Sequence, residues 1–355
     1  MILHLFPAEK FTTDYINRIH SLFDHTNHVF IVYGKIKPEY KLNEIKYREE
    51  IIFTDKLILL GNKIKMLVTN SSKIICHSLF FNLVDFIYLN KITKKCKSSL
   101  IWVIWGKDLY EDFERTKTIK GFILVKPIIK EYFRKSLIYK MEIFITTGDY
   151  DVLKERYRLN PNAKVFGAQY TYNLLKIIEK KENKKIHVMV GHSATETCRH
   201  LETFELLKKY VGKIKVFCPL SYPDNRTTYI DKIIKKGKEI FNDDFVPLTK
   251  FMNYEEYVTF LNSIDIGIFN NNRQQGMGNI TNLLYLGKKV YLSKDNTVRK
   301  SYHVPEYYIF DCEEIQNEDF LTLLSEEMAI NNTNRIIYKF SDDNFFKEWS
   351  RIFNE

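Results

Sequence analysis

The 355-residue chain has no uninterrupted apolar run approaching the 18 or so residues of a transmembrane helix, so no membrane span is predicted. Cysteine is sparse: five residues, at positions 76, 96, 198, 218 and 312, scattered and never paired as CxxC. That excludes a disulfide framework and a structural zinc site, and it points to a reducing compartment. The opening stretch, MILHLFPAEK, is too short in apolar residues for a signal peptide and lacks a basic start, so a cytoplasmic location is expected. A complete GxGxxG fingerprint is also missing. GMGNIT, residues 276–281, has no third glycine, which disfavours a dinucleotide-binding dehydrogenase.

What is present is a globular α/β pattern. Hydrophobic residues make up 45% and charged residues 28%, enough to bury real cores. The formal charge of +10 suggests a polyanionic partner: nucleic acid, an anionic membrane face or a phosphorylated ligand. Short apolar runs at residues 2–6, 28–33, 51–53, 73–76, 100–105 and 143–146 read as strands, with helical periodicity between them. The polar stretch KIIEKKENKK, residues 176–185, reads as a linker. A helix is also predicted at 56–68, before that linker; after it alternation restarts, with strands predicted at 186–190, 213–218, 245–248, 266–269 and 289–292 and helices at 196–210 and 227–236 among others. Such alternation predicts parallel sheets covered by helices on both faces. The expected division is a Rossmann-like domain over residues 1–175, a second over 186–335, and a terminal segment, 336–355, whose helix packs back on the first. Ligands of such sheets sit outside the carboxyl ends of the strands, so two facing halves would share one cleft.

Residues 270–279, NNNRQQGMGN, stand out. They follow a predicted strand and open a predicted helix at Asn279. Helix N-termini carry unpaired N–H groups and partial positive charge, which favour phosphate. Gly276 and Gly278 allow close backbone approach, and Arg273 offers a fork of donors with no carboxylate nearby in the loop. A plain turn with a solvated arginine is the alternative.

At these residues the chain resembles a known family. RQQGMGNI, from Arg273 to Ile280, is similar to the RQQGxG segment of the bacterial transferases that move 4-acetamido-4,6-dideoxygalactose from a dTDP-sugar to a polyprenyl-diphosphate-linked acceptor. These are the N-acetylfucosaminyltransferases of enterobacterial common antigen synthesis, glycosyltransferase family 56. IWGKDLYE, residues 104–111, resembles the family's IWGxDLYE. VGHS, residues 190–193, with His200 resembles VGNS…H, His192 replacing the asparagine. The resemblance runs from about residue 74 to 292. It implies a GT-B architecture of two Rossmann-like domains facing a central cleft, and transfer without a metal or other cofactor. It further implies a lipid-linked glycan acceptor and a peripheral position on the inner face of the cytoplasmic membrane. The implied donor is a nucleotide sugar, dTDP- or UDP-linked, held by Gly191, His192, Ser193, Tyr222, Arg273, Gln274, Gln275, Gly276, Gly278 and Asn279.

Each further candidate has a structural alternative. Asp108 ends a predicted strand and could be the general base for the acceptor hydroxyl, or could cap the next helix. His77, at another strand end, could be a base or a phosphate contact, or a structural histidine. Gly191, His192 and Ser193 could cradle phosphate or cap a helix. Tyr222 could stack on a base or pack between the domains. Asp149 and Asp151 form a DxD, read here as helix-start acids rather than metal ligands. The stretch from Arg115 to Lys140 is basic and amphipathic, with Ile129, Phe133 and Leu137 on one helical face; it is expected to rest on an anionic membrane surface or guide the acceptor's diphosphate, the alternative being a solvated cationic face over a buried stripe. A competing reading makes the chain a non-catalytic basic module that binds nucleotide or nucleic acid. No aromatic–basic recognition motif supports it, so no nucleic-acid partner is expected.

Overall fold

In a computed structural model, the described residues are all except 95, 111–117, 120–121, 124, 146–148, 168, 171–173, 180–183, 223–226, 273 and 303–305. The chain forms two compact units. One comprises Met1–Thr171 with Phe340–Glu355, the other Tyr172–Lys339.

The first unit holds strands β1 (Ile2–Pro7), β2 (His28–Tyr33), β3 (Ile52–Thr54), β4 (Lys73–His77), β5 (Ser99–Val103), β6 (Glu142–Phe144) and β7 (Val165–Phe166). They form one parallel sheet in the order β3-β2-β1-β4-β5-β6-β7. Strand β1, ILHLFP, is buried along its whole length, as expected of a central strand covered on both faces. Its alternate residues divide between two cores: Leu3 and Leu5 face one, Ile2 and Phe6 the other. The terminal helix Asp342–Asn354 supplies Phe345, Trp349 and Ile352 to the second of these cores. Its N-cap Ser341 accepts from the Asn344 N–H at 3.1 Å, and Trp349 Nε1 donates to the Gln169 carbonyl at 3.0 Å.

The second unit repeats the plan. Strands β8 (Ile186–Val190), β9 (Ile214–Pro219), β10 (Phe245–Leu248), β11 (Ile266–Phe269), β12 (Lys289–Leu292) and β13 (Ile309–Asp311) lie parallel in the order β10-β9-β8-β11-β12-β13. In both sheets the order reverses beside the first strand, between β1 and β4 and between β8 and β11. A crevice forms at the carboxyl ends there, and such folds bind ligands in it.

Two expected helices are interrupted. The one at 56–68 becomes a 3-10 turn, Leu57–Leu60, and a helix, Asn62–Asn70, because Gly61 between them has φ +53° and ψ −121°. The one at 196–210 becomes a 3-10 turn, Glu196–Cys198, and a helix, His200–Leu207, with Arg199 left-handed at φ +49°. Strands β7 and β13 and the helix Glu326–Lys339 were not expected from the sequence.

Candidate functional site

In the second unit the reversal point joins two loops. The first leaves β8 at Gly191, whose φ of +68° suits glycine. A Cβ there would lie 2.6 Å from His200 Nε2, so no side chain fits. The Gly191 N–H still donates to the Ile268 carbonyl of β11 at 2.9 Å, and the Ala194 N–H donates to the Tyr222 carbonyl at 2.7 Å. The loop is thereby tied to both flanking strands. The second loop leaves β11 through Asn270 and Asn271, both buried. It then turns at Gly276, φ +72°, into the helix Met277–Tyr285. That helix begins two residues earlier than expected. Its N-cap is glycine, so the N-cap residue contributes no capping side chain to the first turn.

Gln275 links the two loops. Its Oε1 accepts from Thr197 Oγ1 at 2.6 Å and from Asn271 Nδ2 at 3.5 Å, and Asn271 Nδ2 also lies 3.4 Å from His192 Nδ1. A Cβ on Gly276 would stand 3.2 Å from the His192 ring. Gln274, Gln275, Gly276, Gly278 and Asn279 are half-buried, as is His192, so the loops form an accessible floor. The Asn279 side chain is committed to the scaffold, its Oδ1 accepting from Tyr257 Oη at 2.5 Å. Ser193 is buried, with Oγ 3.1 Å from Thr195 Oγ1 and 3.1 Å from His192 Nε2. Tyr222, 69% exposed, stands free at the carboxyl end of β9 rather than in a core. Arg273 lies outside the described residues.

His192 also perturbs Cys198, 3.5 Å away. Burial pushes that thiol up, but hydrogen bonding and charge from His192, with help from Thr195, outweigh it and bring the thiol down to about 6. His200, buried first of all and repelled by His192, is lowered to about 3 and is neutral. The sequence reading gave Cys198 and Thr197 no part in the loop. A cysteine six residues after a histidine, at the end of a 3-10 turn, carries no sequence signal of the contact.

The first unit's reversal point is built differently. His77 ends β4 and is fully buried, with Nδ1 2.7 Å from Tyr170 Oη and Nε2 3.0 Å from His4 Nδ1. His4 Nε2 in turn lies 2.9 Å from His28 Nδ1. Three imidazoles on one sheet face thus form a diagonal chain across β2, β1 and β4. Burial lowers His77 and His4 well below the usual imidazole range, and neighbouring histidines add to the effect at His4. Asp108 is 1% exposed. Its carboxylate accepts from Trp102 Nε1 at 2.8 Å, the Trp105 N–H at 2.9 Å and the Leu79 N–H at 3.2 Å. Arg134 donates to its carbonyl. Burial raises the Asp108 carboxyl despite these donors. As placed, Asp108 and His77 are both buried, with their side-chain polar atoms hydrogen-bonded to neighbours. Asp149 is buried while Asp151 is exposed and paired with Lys154 at 3.2 Å, so the two acids of the DxD sit in different surroundings.

Two parallel sheets of this order, with a glycine-turned, half-open loop pair at the second reversal point, define a GT-B glycosyltransferase. Solved structures agree on the fold. The Anabaena HepE protein in complex with UDP and glucose superimposes with a TM-score of 0.64 at 10% identity, covering 99% of this chain and 98% of that one. A glycosyltransferase from Rickettsia africae ESF-5 gives 0.65 at 12% identity over 99% and 97%. The lipopolysaccharide outer core galactosyltransferase WaaB, in its apo form, gives 0.61 at 12% identity over 99% and 98%. A family model described as 4-alpha-L-fucosyltransferase, glycosyl transferase group 56, matches residues 12–355. The chain belongs to that family and is a glycosyltransferase.

Proposed function

We propose that the chain transfers a deoxy-amino sugar from a nucleotide-diphosphate donor, dTDP- or UDP-linked, to a polyprenyl-diphosphate-linked glycan during surface polysaccharide synthesis. The observation that carries the donor half is the loop pair at the second unit's reversal point. Residues 274–279 bring a helix N-terminus to a half-open floor that the half-buried His192 borders. Charge grows on the leaving diphosphate as the anomeric bond breaks, and positioned donors stabilise it without a metal. Arg273 is assigned to the same diphosphate, and Tyr222 to the base. Solved relatives of the fold hold UDP and UDP-glucose, which supports a nucleotide-sugar donor here.

The acceptor half rests on the family resemblance at IWGKDLYE and on the basic stretch from Arg115 to Lys140, assigned to an anionic membrane surface at the inner face of the cytoplasmic membrane. Residues 111–117, 120–121 and 124 of that stretch lie outside the described residues. Among the described residues, no helix is long and apolar enough to cross a membrane.

The test is a transfer assay with UDP-, dTDP-, GDP- and CMP-sugars against a short-chain polyprenyl-diphosphate glycan, read by mass spectrometry. Acceptor elongation from a dTDP- or UDP-sugar is expected. Donor hydrolysis without elongation, or elongation only of a soluble glycan lacking the diphosphate, would overturn the proposal.

A further inference from the structure

Four segments cover one face of the first unit's sheet: the turn Leu57–Leu60 and the helices Asn62–Asn70, Leu83–Ile92 and Val125–Ile138. Their inward residues Leu57, Ile64, Phe86 and Leu137 belong to a single core. Helix Leu83–Ile92 packs against both the turn and helix Val125–Ile138, and the turn packs against helix Asn62–Asn70. The outer surfaces are therefore continuous.

That outer surface is apolar where solvent ordinarily selects polar residues. Leu59 is 68% exposed, Val125 61% and Tyr132 68%. On helix Val125–Ile138, Val125, Ile128, Ile129 and Tyr132 are all exposed at i, i+3, i+4 and i+7, one stripe turned away from the sheet. Val84 and Ile87 extend the patch on the neighbouring helix. This second stripe is distinct from the inward one of Phe133 and Leu137.

Among the described residues of the four segments, the exposed charge is of one sign. Lys63, Lys65, Lys91, Lys126 and Lys135 are exposed, with Lys130 half-buried over the Phe86 ring at 5.8 Å. The carboxylates within the four segments, Asp85 and Glu131, are both buried, and so is Arg134. Asp55 adjoins the turn in sequence and is exposed. An apolar centre with a lysine rim matches the layering of an anionic bilayer: acyl boundary inside, phosphate headgroups around it. A second copy fits poorly, since a two-fold contact would set lysine against lysine. Nucleic acid would leave the aliphatic stripe without a partner.

We propose that this four-segment face is the surface on which the enzyme seats on an anionic membrane. The inference deepens the lipid-linked-acceptor reading, but relies on it only for the purpose of the contact. The experiment is flotation of the intact protein with vesicles of phosphatidylcholine alone or mixed with phosphatidylglycerol, at low and high salt. Wild type is expected to float with the mixed vesicles and to be released by salt. Ile128→Glu/Tyr132→Glu and Lys126→Glu/Lys135→Glu should each lower the bound fraction about tenfold or more, while donor binding, read by thermal shift, stays unchanged. Equal flotation of the variants would overturn the inference. So would a wild type that ignores anionic vesicles, or one that forms a dimer these substitutions dissociate. Flotation reads binding without turnover, so an enzyme that floats as expected yet fails to elongate a lipid acceptor would refute the transfer reading and leave this one standing.

Discussion

The two reversal points have the same strand order and opposite fillings. In the first unit, His77 and Asp108 stand at strand ends, yet their side-chain polar atoms are hydrogen-bonded to neighbours: Tyr170 and His4 for one, Trp102, Trp105 and Leu79 for the other. In the second, the polar residues from Gln274 to Asn279 and His192 are half-open, held by a few cross-loop hydrogen bonds through Gln275. The same topology thus supplies a crevice twice, and side-chain choice decides whether it is closed by internal hydrogen bonds or left for a ligand. Polar residues at a strand's carboxyl end do not by themselves make a site. Accessibility does.

The largest effect expected is on the second unit's loop. Arg273→Ala should lower kcat by roughly 10²–10³ with the fold retained, as measured by steady-state kinetics and circular dichroism. Unchanged donor binding and turnover would remove the loop from the mechanism.

Asp108→Asn should act in the opposite way. An amide cannot accept from all three donors at once, so stability should fall by about 1–3 kcal/mol, seen as a lower urea midpoint. Turnover of the protein that remains folded should persist. A fully stable Asp108→Asn with no activity would restore Asp108 as the base and erase the contrast between the two units.

A third effect is pH-dependent. His4 and His77 are held well below 6.5, and His28 is lowered to about 4, burial being the first cause at each. The unfolded chain therefore binds more protons below about 6.5, and stability rises with pH through that window. From about pH 6.5 downward, urea midpoints should fall steadily. His4→Gln should flatten that fall. A midpoint independent of pH between 7.5 and 5.5 would show that the imidazole chain is not sealed. The smallest expected effect is that of EDTA, which should leave transfer unchanged. Loss of activity restored by a divalent ion would bring Asp149 and Asp151 back as candidates.

Much of this was legible in residue order. Runs such as ILHLFP and HVFIVY, short, apolar and rich in β-branched and aromatic residues, fit strands of a sheet covered on both faces, and they are buried at six and at five of six positions. The loop at 270–279 was legible because glycines and asparagines follow one apolar run and precede another. What stayed hidden depends on register. His4, His28 and His77 are 24 and 73 residues apart from one another along the two contacts, and only the pairing of Ile2 with His28 and of His4 with Ile75 brings them onto one diagonal. The burial of Asp108 depends on the Trp102 indole reaching back six residues, which spacing does not disclose. Helix Val125–Ile138 misled for another reason. Ile129, Phe133 and Leu137 share one helical face by spacing, but Ile129 is exposed with the outward stripe, and two overlapping apolar stripes on one helix cannot be separated by periodicity.

The contrast between the units is tested most directly by amide hydrogen exchange with and without UDP or dTDP. The account predicts slowed exchange at residues 191–198 and 274–280, with residues 77–81 and 105–110 unchanged. Slowing at the strand ends of the first unit, with none at the two loops of the second, would contradict it.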